Sequence, residues 1–197
     1  MIAMEPPGQH VAVFDILHES QYLSACNEVV TGQPKRFAEL LTGPPIKIAY
    51  RPVVFRMVDG EENVPEFEPF VKLCYLKGKM TMVVDEAHNL CSPNYMPDAF
   101  LDAVRLGRHR ELNITYIGQS WAGIARPLTA ATDEYYFFKI IEPRDLEGIR
   151  QRCGDEVMER VKNLRRLDYT KEGIPIPGEI LHWSSYEGVI ENEDNTL

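Results

Sequence analysis

Met80-Thr-Met-Val-Val-Asp-Glu-Ala-His-Asn-Leu90 is the stretch on which the reading of this chain turns. A short apolar run, Met80 to Val84, is bounded by Gly78 on one side and by two adjacent acids on the other. Such a run predicts a buried strand. Carboxylates are costly to bury without partners. Asp85 and Glu86 therefore belong at the strand's C-terminal tip, where open α/β sheets place their ligands. There a first acid can hold a hydrated Mg²⁺, and a second can orient or deprotonate an attacking water, as in nucleotide hydrolases. The plainer reading of the same pair is two solvated acids capping whatever follows the strand.

Working outward, Val11 to Leu17 is a second buried strand with Asp15 near its end. His18 to Pro34 is polar and reads as irregular, and Lys35 to Leu41 as a short helix stopped by Thr42-Gly-Pro-Pro45. Ile46 to Met57 is β-rich and broken at Pro52, and Asp59 to Val64 reads as an acidic loop. Glu66 to Lys77 carries Phe67, Phe70, Val71 and Cys74 at helical spacing, with Gly78 as its stop. Downstream, Pro97 to His109 reads as a helix and Asn113 to Gly118 as a strand. Gly123 to Ala131 is a short helix interrupted by Pro127, and Glu134 to Ile141 is a strand. Arg144 to Arg152 and Asp155 to Arg166 are helices, the second capped by Asp155, and Glu179 to Trp183 is a last strand. The acidic end, residues 187–197, is expected to fray. Alternating strands and helices predict a three-layer α/β fold with a mainly parallel sheet. The reading is one domain, residues 1–186, followed by a flexible tail, with no internal repeat.

The bulk properties narrow the class. A chain of 197 residues that is 44% apolar can bury one ordinary core. No window is apolar enough for a membrane-spanning helix, and Met1 to Gly8 lacks the pattern of a signal peptide. Cys26, Cys74, Cys91 and Cys153 are scattered without zinc or disulfide spacing, which reads as free thiols in a reducing cytoplasm. A net charge of −9 argues against a broad DNA-coating surface but leaves room for a local basic patch.

Two further groups carry chemistry. Gln119-Ser120 ends the strand that follows the acids, and an amide there can hydrogen-bond a γ-phosphate or the attacking water. Arg105, Arg108 and Arg110, with His109, crowd six residues. They could stabilise a phosphoryl group in transfer, grip DNA phosphates, or simply suit a helix C-terminus. The order of these pieces resembles the FtsK–HerA superfamily of P-loop ATPases: apolar strand, Asp85-Glu-Ala-His88, helix, Arg105-Leu-Gly-Arg-His-Arg110, apolar strand, Gly118-Gln-Ser120. That superfamily includes hexameric DNA pumps and viral genome-packaging ATPases, with Zot-like phage proteins nearby. The resemblance covers roughly Val11 to Leu167. It implies a RecA-like sheet, Asp85 as Mg²⁺ ligand, and Asp15 with Asp85 on the nucleotide side. It further implies Glu86 as water-activating base, Gln119 as phosphate sensor, and Arg105 or Arg108 as arginine-finger candidates. The cofactors implied are Mg²⁺ and ATP, and the partners DNA and further copies of the chain in a homo-oligomer such as a hexamer. Asp85 to His88 also spells the DEAH box of helicases, but no Ser-Ala-Thr motif follows it.

The sequence departs from the superfamily at one point. It contains no GxxxxGK[ST] phosphate-binding loop, since Gly78-Lys79-Met80 lacks the hydroxyl residue and precedes a strand. The expectation is a member whose first strand and P-loop lie elsewhere, in an upstream or separate reading frame. In the superfamily that strand sits centrally, beside the acid-bearing one. The chain alone is then expected to bind ATP weakly or not at all. A non-catalytic DNA-binding or assembly subunit on the same fold is the alternative. An unrelated α/β enzyme, with His88 among the ligands of another metal-bound substrate, is a third.

Overall fold

The computed structural model describes residues 8–53, 56–58, 61–170 and 175–190. These form two compact units. One holds the described residues up to Gln119 together with Gly123–Thr129, and the other holds Ser120–Ala122 and the described residues from Ala130 onward.

The first unit is built on β1 (His10–Phe14), α1 (Ser20–Ala25), β2 (Glu28–Thr31), α2 (Pro34–Thr42) and β3 (Lys47–Arg51). It continues with a small antiparallel ribbon of β4 (Arg56–Val58) and β5 (Glu61–Asn63), then α3 (Phe67–Lys77) and β6 (Met80–Val84). A 3-10 turn, Ala87–Asn89, leads to α4 (Asp98–Leu106), a second 3-10 turn, Gly107–Arg110, then β7 (Leu112–Tyr116) and α5 (Arg126–Ala131), whose last two residues count with the second unit. The sheet order is β2-β3-β1-β6-β7, and every neighbouring pair is parallel. Both edges of β6 are hydrogen-bonded, to β1 and to β7, so the place expected for a P-loop strand beside the acid-bearing one is already filled, and a further strand could join this sheet only at β2 or β7.

Alternation along the strands explains the layers. Ala12, Phe14, Ile48, Tyr50, Met80, Met82 and Val84 point to one face, with Phe37, Phe67, Phe70 and Phe100 from the helices on that side. Val11, Val13, Ala49 and Val83 point to the other, with Tyr22 of α1. Successive strand residues face opposite sides, so strands buried on both faces read as continuous apolar runs. The rings interlock: Phe14 lies 5.0 Å from Phe67 and 5.0 Å from Phe70, and Phe37 stacks on Phe70 at 5.1 Å. Each such pair adds about 0.5–1.5 kcal/mol to the burial of its rings. Helix α3 buries Phe67, Phe70, Val71 and Cys74 and stops at Gly78, whose N–H donates to the Cys74 carbonyl. Gly78 has φ +58°, and a Cβ there would lie 2.6 Å from the Arg110 carbonyl oxygen, so only glycine fits.

The second unit has β8 (Glu134–Phe137), α6 (Pro143–Cys153), α7 (Asp155–Asn163) and a ribbon of β9 (Asp168–Tyr169) with β10 (Pro175–Ile176). These are followed by β11 (Leu181–Ser184) and β12 (Gly188–Ile190). Its sheet, β12-β11-β8, is antiparallel. Tyr135, Phe137, Ile149, Val157, Val161 and Leu181 form its core, with Trp121 packed on them.

Four readings of the sequence need correcting. His18 to Pro34, read as irregular, contains α1 and β2, which at six and four residues are too short to show a period. Glu61–Asn63, read as loop, is an edge strand held by β4. Asp155 is the first residue of α7, and Gly154 occupies the cap. Gly188–Ile190, read as part of a frayed tail, pairs with β11, while 191–197 lie outside the described residues. All four cysteines are free; Cys74 and Cys91 are buried. Among the described residues no helix is long and apolar enough to cross a membrane.

Candidate functional site

Register places the acids together. Phe14 pairs with Tyr50 and with Val84, and Val84 with Tyr116, so β3, β1, β6 and β7 end in line. The ladder runs one step beyond the strands: the Asp15 N–H donates to the Tyr50 carbonyl, Asp85 N–H to Phe14, and Ile117 N–H to Val84. Asp15, Asp85, Glu86 and Gln119 consequently lie along one edge, at the C-terminal ends of the parallel strands.

The two aspartates are held by the protein. Asp15 is completely buried. Its Oδ2 accepts the Arg51 Nε–H at 2.8 Å, and its Oδ1 accepts the Glu19 N–H at 2.8 Å. Arg51 also donates through Nη2 to the Glu19 carbonyl at 2.8 Å, so the ion pair is locked into the turn before α1. Asp85 is 5% exposed. Its Oδ1 accepts the Glu86 N–H at 3.0 Å, and the Tyr22 hydroxyl donates to the same carboxylate. Burial pushes the Asp85 carboxyl above the ordinary aspartate value; the bonds from Tyr22 and the Glu86 N–H pull the other way, and the neighbouring Glu86 and Asp15 add to the rise. The Tyr22 phenol is pushed up in turn, first by its own burial and then by Asp85.

Glu86 is the strained member. Its backbone is left-handed, φ +48° and ψ +47°, a conformation that costs a non-glycine residue of order 1 kcal/mol or more. The turn is fixed around it by the Ala87 N–H donating to the Ile117 carbonyl at 2.8 Å and the Asn89 N–H donating to the Glu86 carbonyl at 2.8 Å. This aims the Glu86 carboxylate at β7's end, where Gln119 Nε2 donates to Oε1 at 3.0 Å and Oε2 at 3.2 Å. His88 Nδ1 sits 3.2 Å from Glu86 Oε2, at ion-pair distance but without hydrogen-bond alignment. A carboxylate 14% exposed and gripped by an exposed amide can position a water molecule and accept its proton.

The arginines do not join this group. Arg105 lies in the last turn of α4, and Arg108 and Arg110 in the 3-10 turn that leads into the start of β7. The Arg110 carbonyl accepts the Lys79 N–H at 2.8 Å, just before β6. They therefore lie at the N-terminal edge of the sheet. Five strand residues separate the two edges, about 16 Å at 3.3 Å per residue. Within one chain neither Arg105 nor Arg108 reaches Glu86 or Gln119. Ser120, the other residue of the Gln119 pair, belongs to the second unit, where its hydroxyl donates to buried Asp145 at 2.9 Å. Tyr22 and Arg51 escaped the sequence reading. Tyr22 falls in the segment taken as irregular, and Arg51 looked like one polar position of an alternating strand.

No protein-family model matches the sequence, and no curated protein matches it. Solved structures do. The genome packaging NTPase B204 of Sulfolobus turreted icosahedral virus 2, in complex with AMPPCP, superposes with a TM-score of 0.70 at 17% identity, covering 96% of this chain and 84% of that one. The same protein with ATP-gammaS gives 0.62 at 15% identity, covering 98% and 100%. B204 of Sulfolobus turreted icosahedral virus, a DNA-packaging ATPase, gives 0.64 at 19% identity, covering 93% and 81%. The chain has the B204 fold. The RecA-like parallel sheet expected from the sequence is borne out by this likeness and by the strand order.

On the B204 fold the acid-amide edge can be tested against a metal. Among the described residues no group of three or more His, Cys, Asp or Glu side chains is placed to hold one. Mg²⁺ needs less, since it keeps several waters and takes one or two carboxylates together with phosphate oxygens. Asp85, at a strand tip and with Glu86 beside it, fits a metal that arrives with a nucleotide and does not fit a resident one.

Proposed function

We propose that this chain is the ATPase-like domain of a DNA-translocating or genome-packaging motor, with Asp85-Glu86 as its Walker B-like pair. The observation that carries the reading is the Glu86–Gln119 contact, one residue from buried Asp85, at the C-terminal edge of a sheet with the B204 fold. Asp85 would hold the nucleotide's hydrated Mg²⁺, which neutralises phosphate charge. Glu86 accepts a proton from the attacking water, and Gln119 fixes the direction of its carboxylate and reads the γ-phosphate. Asp15 acts one layer back: paired to Arg51, it shapes the turn carrying α1 and so sets Tyr22 against Asp85. Arg105 and Arg108 could enter this chemistry only from a neighbouring copy. A phosphate-cradling GxxxxGK[ST] segment must be added to residues 1–197 for turnover.

ATP turnover by the product of the complete gene, any upstream reading frame included, tests this. Glu86→Gln is expected to lower kcat by about 10²–10⁴-fold with little change in KM. Unchanged turnover in that variant would remove Glu86 from the chemistry. A second reading, a non-catalytic DNA-binding or assembly subunit, is favoured by one observation: Asp85 is already satisfied by Tyr22 and the Glu86 N–H. Calorimetry with Mg-ATP on residues 1–197 bears on it, and micromolar binding would count against it.

A further inference from the structure

Five cationic side chains gather at the N-terminal edge of the parallel sheet. Lys77 ends α3, Arg105 lies in the last turn of α4, and Arg108 and Arg110 lie in the turn before β7. Lys79 is tied to that turn through its N–H on the Arg110 carbonyl. All five are exposed. The Arg110 guanidinium stands 5.4 Å over the Tyr75 ring, which fixes one of the five. Opposing acid is sparse: Glu111 reaches Lys79 at 3.6 Å, with both side chains at least 70% exposed, where such a pair is worth little.

The concentration of cations at one edge decides the reading. Arg36, Lys72, Arg150, Lys162 and Arg165 each have a carboxylate within ion-pair distance. Arg105 and Arg108 have none among the described residues. Arg126, Arg144 and Arg166 have none either, so what sets this edge apart is the gathering of five exposed cations in a protein of net charge −9. A helix dipole accounts for a cation in the last turn of α4. It does not account for Arg108 and Arg110 beyond that helix, nor for Lys77 and Lys79 on other elements. A guanidinium takes phosphate oxygens in a two-pronged grip. Exposed cations spread over two helix ends and a turn suit an extended polyanion.

We propose that this edge binds the phosphate backbone of DNA, with Arg105 and Arg108 as its principal contacts. The proposal goes beyond the packaging-motor reading and rests on it only for the choice of DNA among polyanions. The surface lies about one strand length, ~16 Å, from Glu86, so backbone binding and nucleotide chemistry can be read separately.

The test is fluorescence anisotropy of a short labelled DNA duplex of mixed sequence, titrated with the chain at several salt concentrations. Affinity should fall with salt, with a log–log slope of about −0.9 per phosphate contacted. Arg105→Ala/Arg108→Ala should make that slope shallower by about 2, weakening binding to all sequences alike. Arg36→Ala/Lys162→Ala removes the same charge from paired positions and should leave slope and Kd as they are. Circular dichroism confirms that each variant is folded. Equal loss in both double variants would reduce the effect to net charge and overturn the proposal. So would absence of salt-dependent binding, or loss of ATP turnover by the complete gene product carrying Arg105→Ala/Arg108→Ala with duplex binding intact, which would make the arginines fingers for a neighbouring copy. Duplex binding through these arginines in a complete gene product that never turns over ATP would sink the ATPase reading and leave this one standing.

Discussion

At the scale of single residues, the site is a contest between burial and hydrogen bonding around Asp85. Burial wins, and the carboxyl is raised above its ordinary value. The folded protein thus holds the Asp85 proton more tightly than the unfolded chain does. Linkage then fixes the sign: the contribution of Asp85 is fully present below the ordinary aspartate pKa of about 4 and is lost as pH rises through the raised value. Denaturant unfolding from acid to neutral pH should show this when wild type is compared with Asp85→Asn. Their stability difference should move against wild type across that window and flatten above it. A difference moving the other way would mean that Tyr22 and the Glu86 N–H outweigh burial. Tyr22 itself illustrates what a sequence hides. An acid at a strand tip announces itself, whereas the phenol that satisfies it comes from a six-residue helix with no pattern of its own.

At the scale of elements, most of the parallel sheet was legible because doubly buried strands leave unbroken apolar runs. The 80–84 strand and α3 fall where their spacing puts them. Illegible were elements whose formation depends on partners. β2 needs β3 beside it, β5 needs β4, and β12 needs β11. The acid-amide half of the site was readable from strand ends alone. The separation of the arginines from it was not, because it follows from two strands running parallel. Gly78 is the joint that makes this arrangement possible, turning α3 into β6 where the Arg110 carbonyl passes. Gly78→Ala places a Cβ 2.6 Å from that oxygen at φ +58°. It should cost about 2 kcal/mol or more, measured by urea denaturation, and a neutral effect would show that the α3–β6 turn can shift.

At the scale of the whole molecule, the first unit presents chemistry at two ends: acids and an amide where the strands finish, and exposed cations where they begin. One feature of the same sheet bears on how the protein behaves at high concentration. β7 closes the sheet order among the described residues, and its five residues, Leu112 to Tyr116, include no charge and no proline. Natural edge strands are commonly guarded by lysine, proline or a bulge; β2, at the other end, has Glu28. A sheet edge of this kind can take a further strand, from an added segment or from a second copy. Light scattering should show association rising with concentration, and Asn113→Lys, at an exposed position of β7, should suppress it while leaving the melting temperature unchanged. On that outcome, colloidal stability in this protein is set less by its excess of acid than by five uncharged residues.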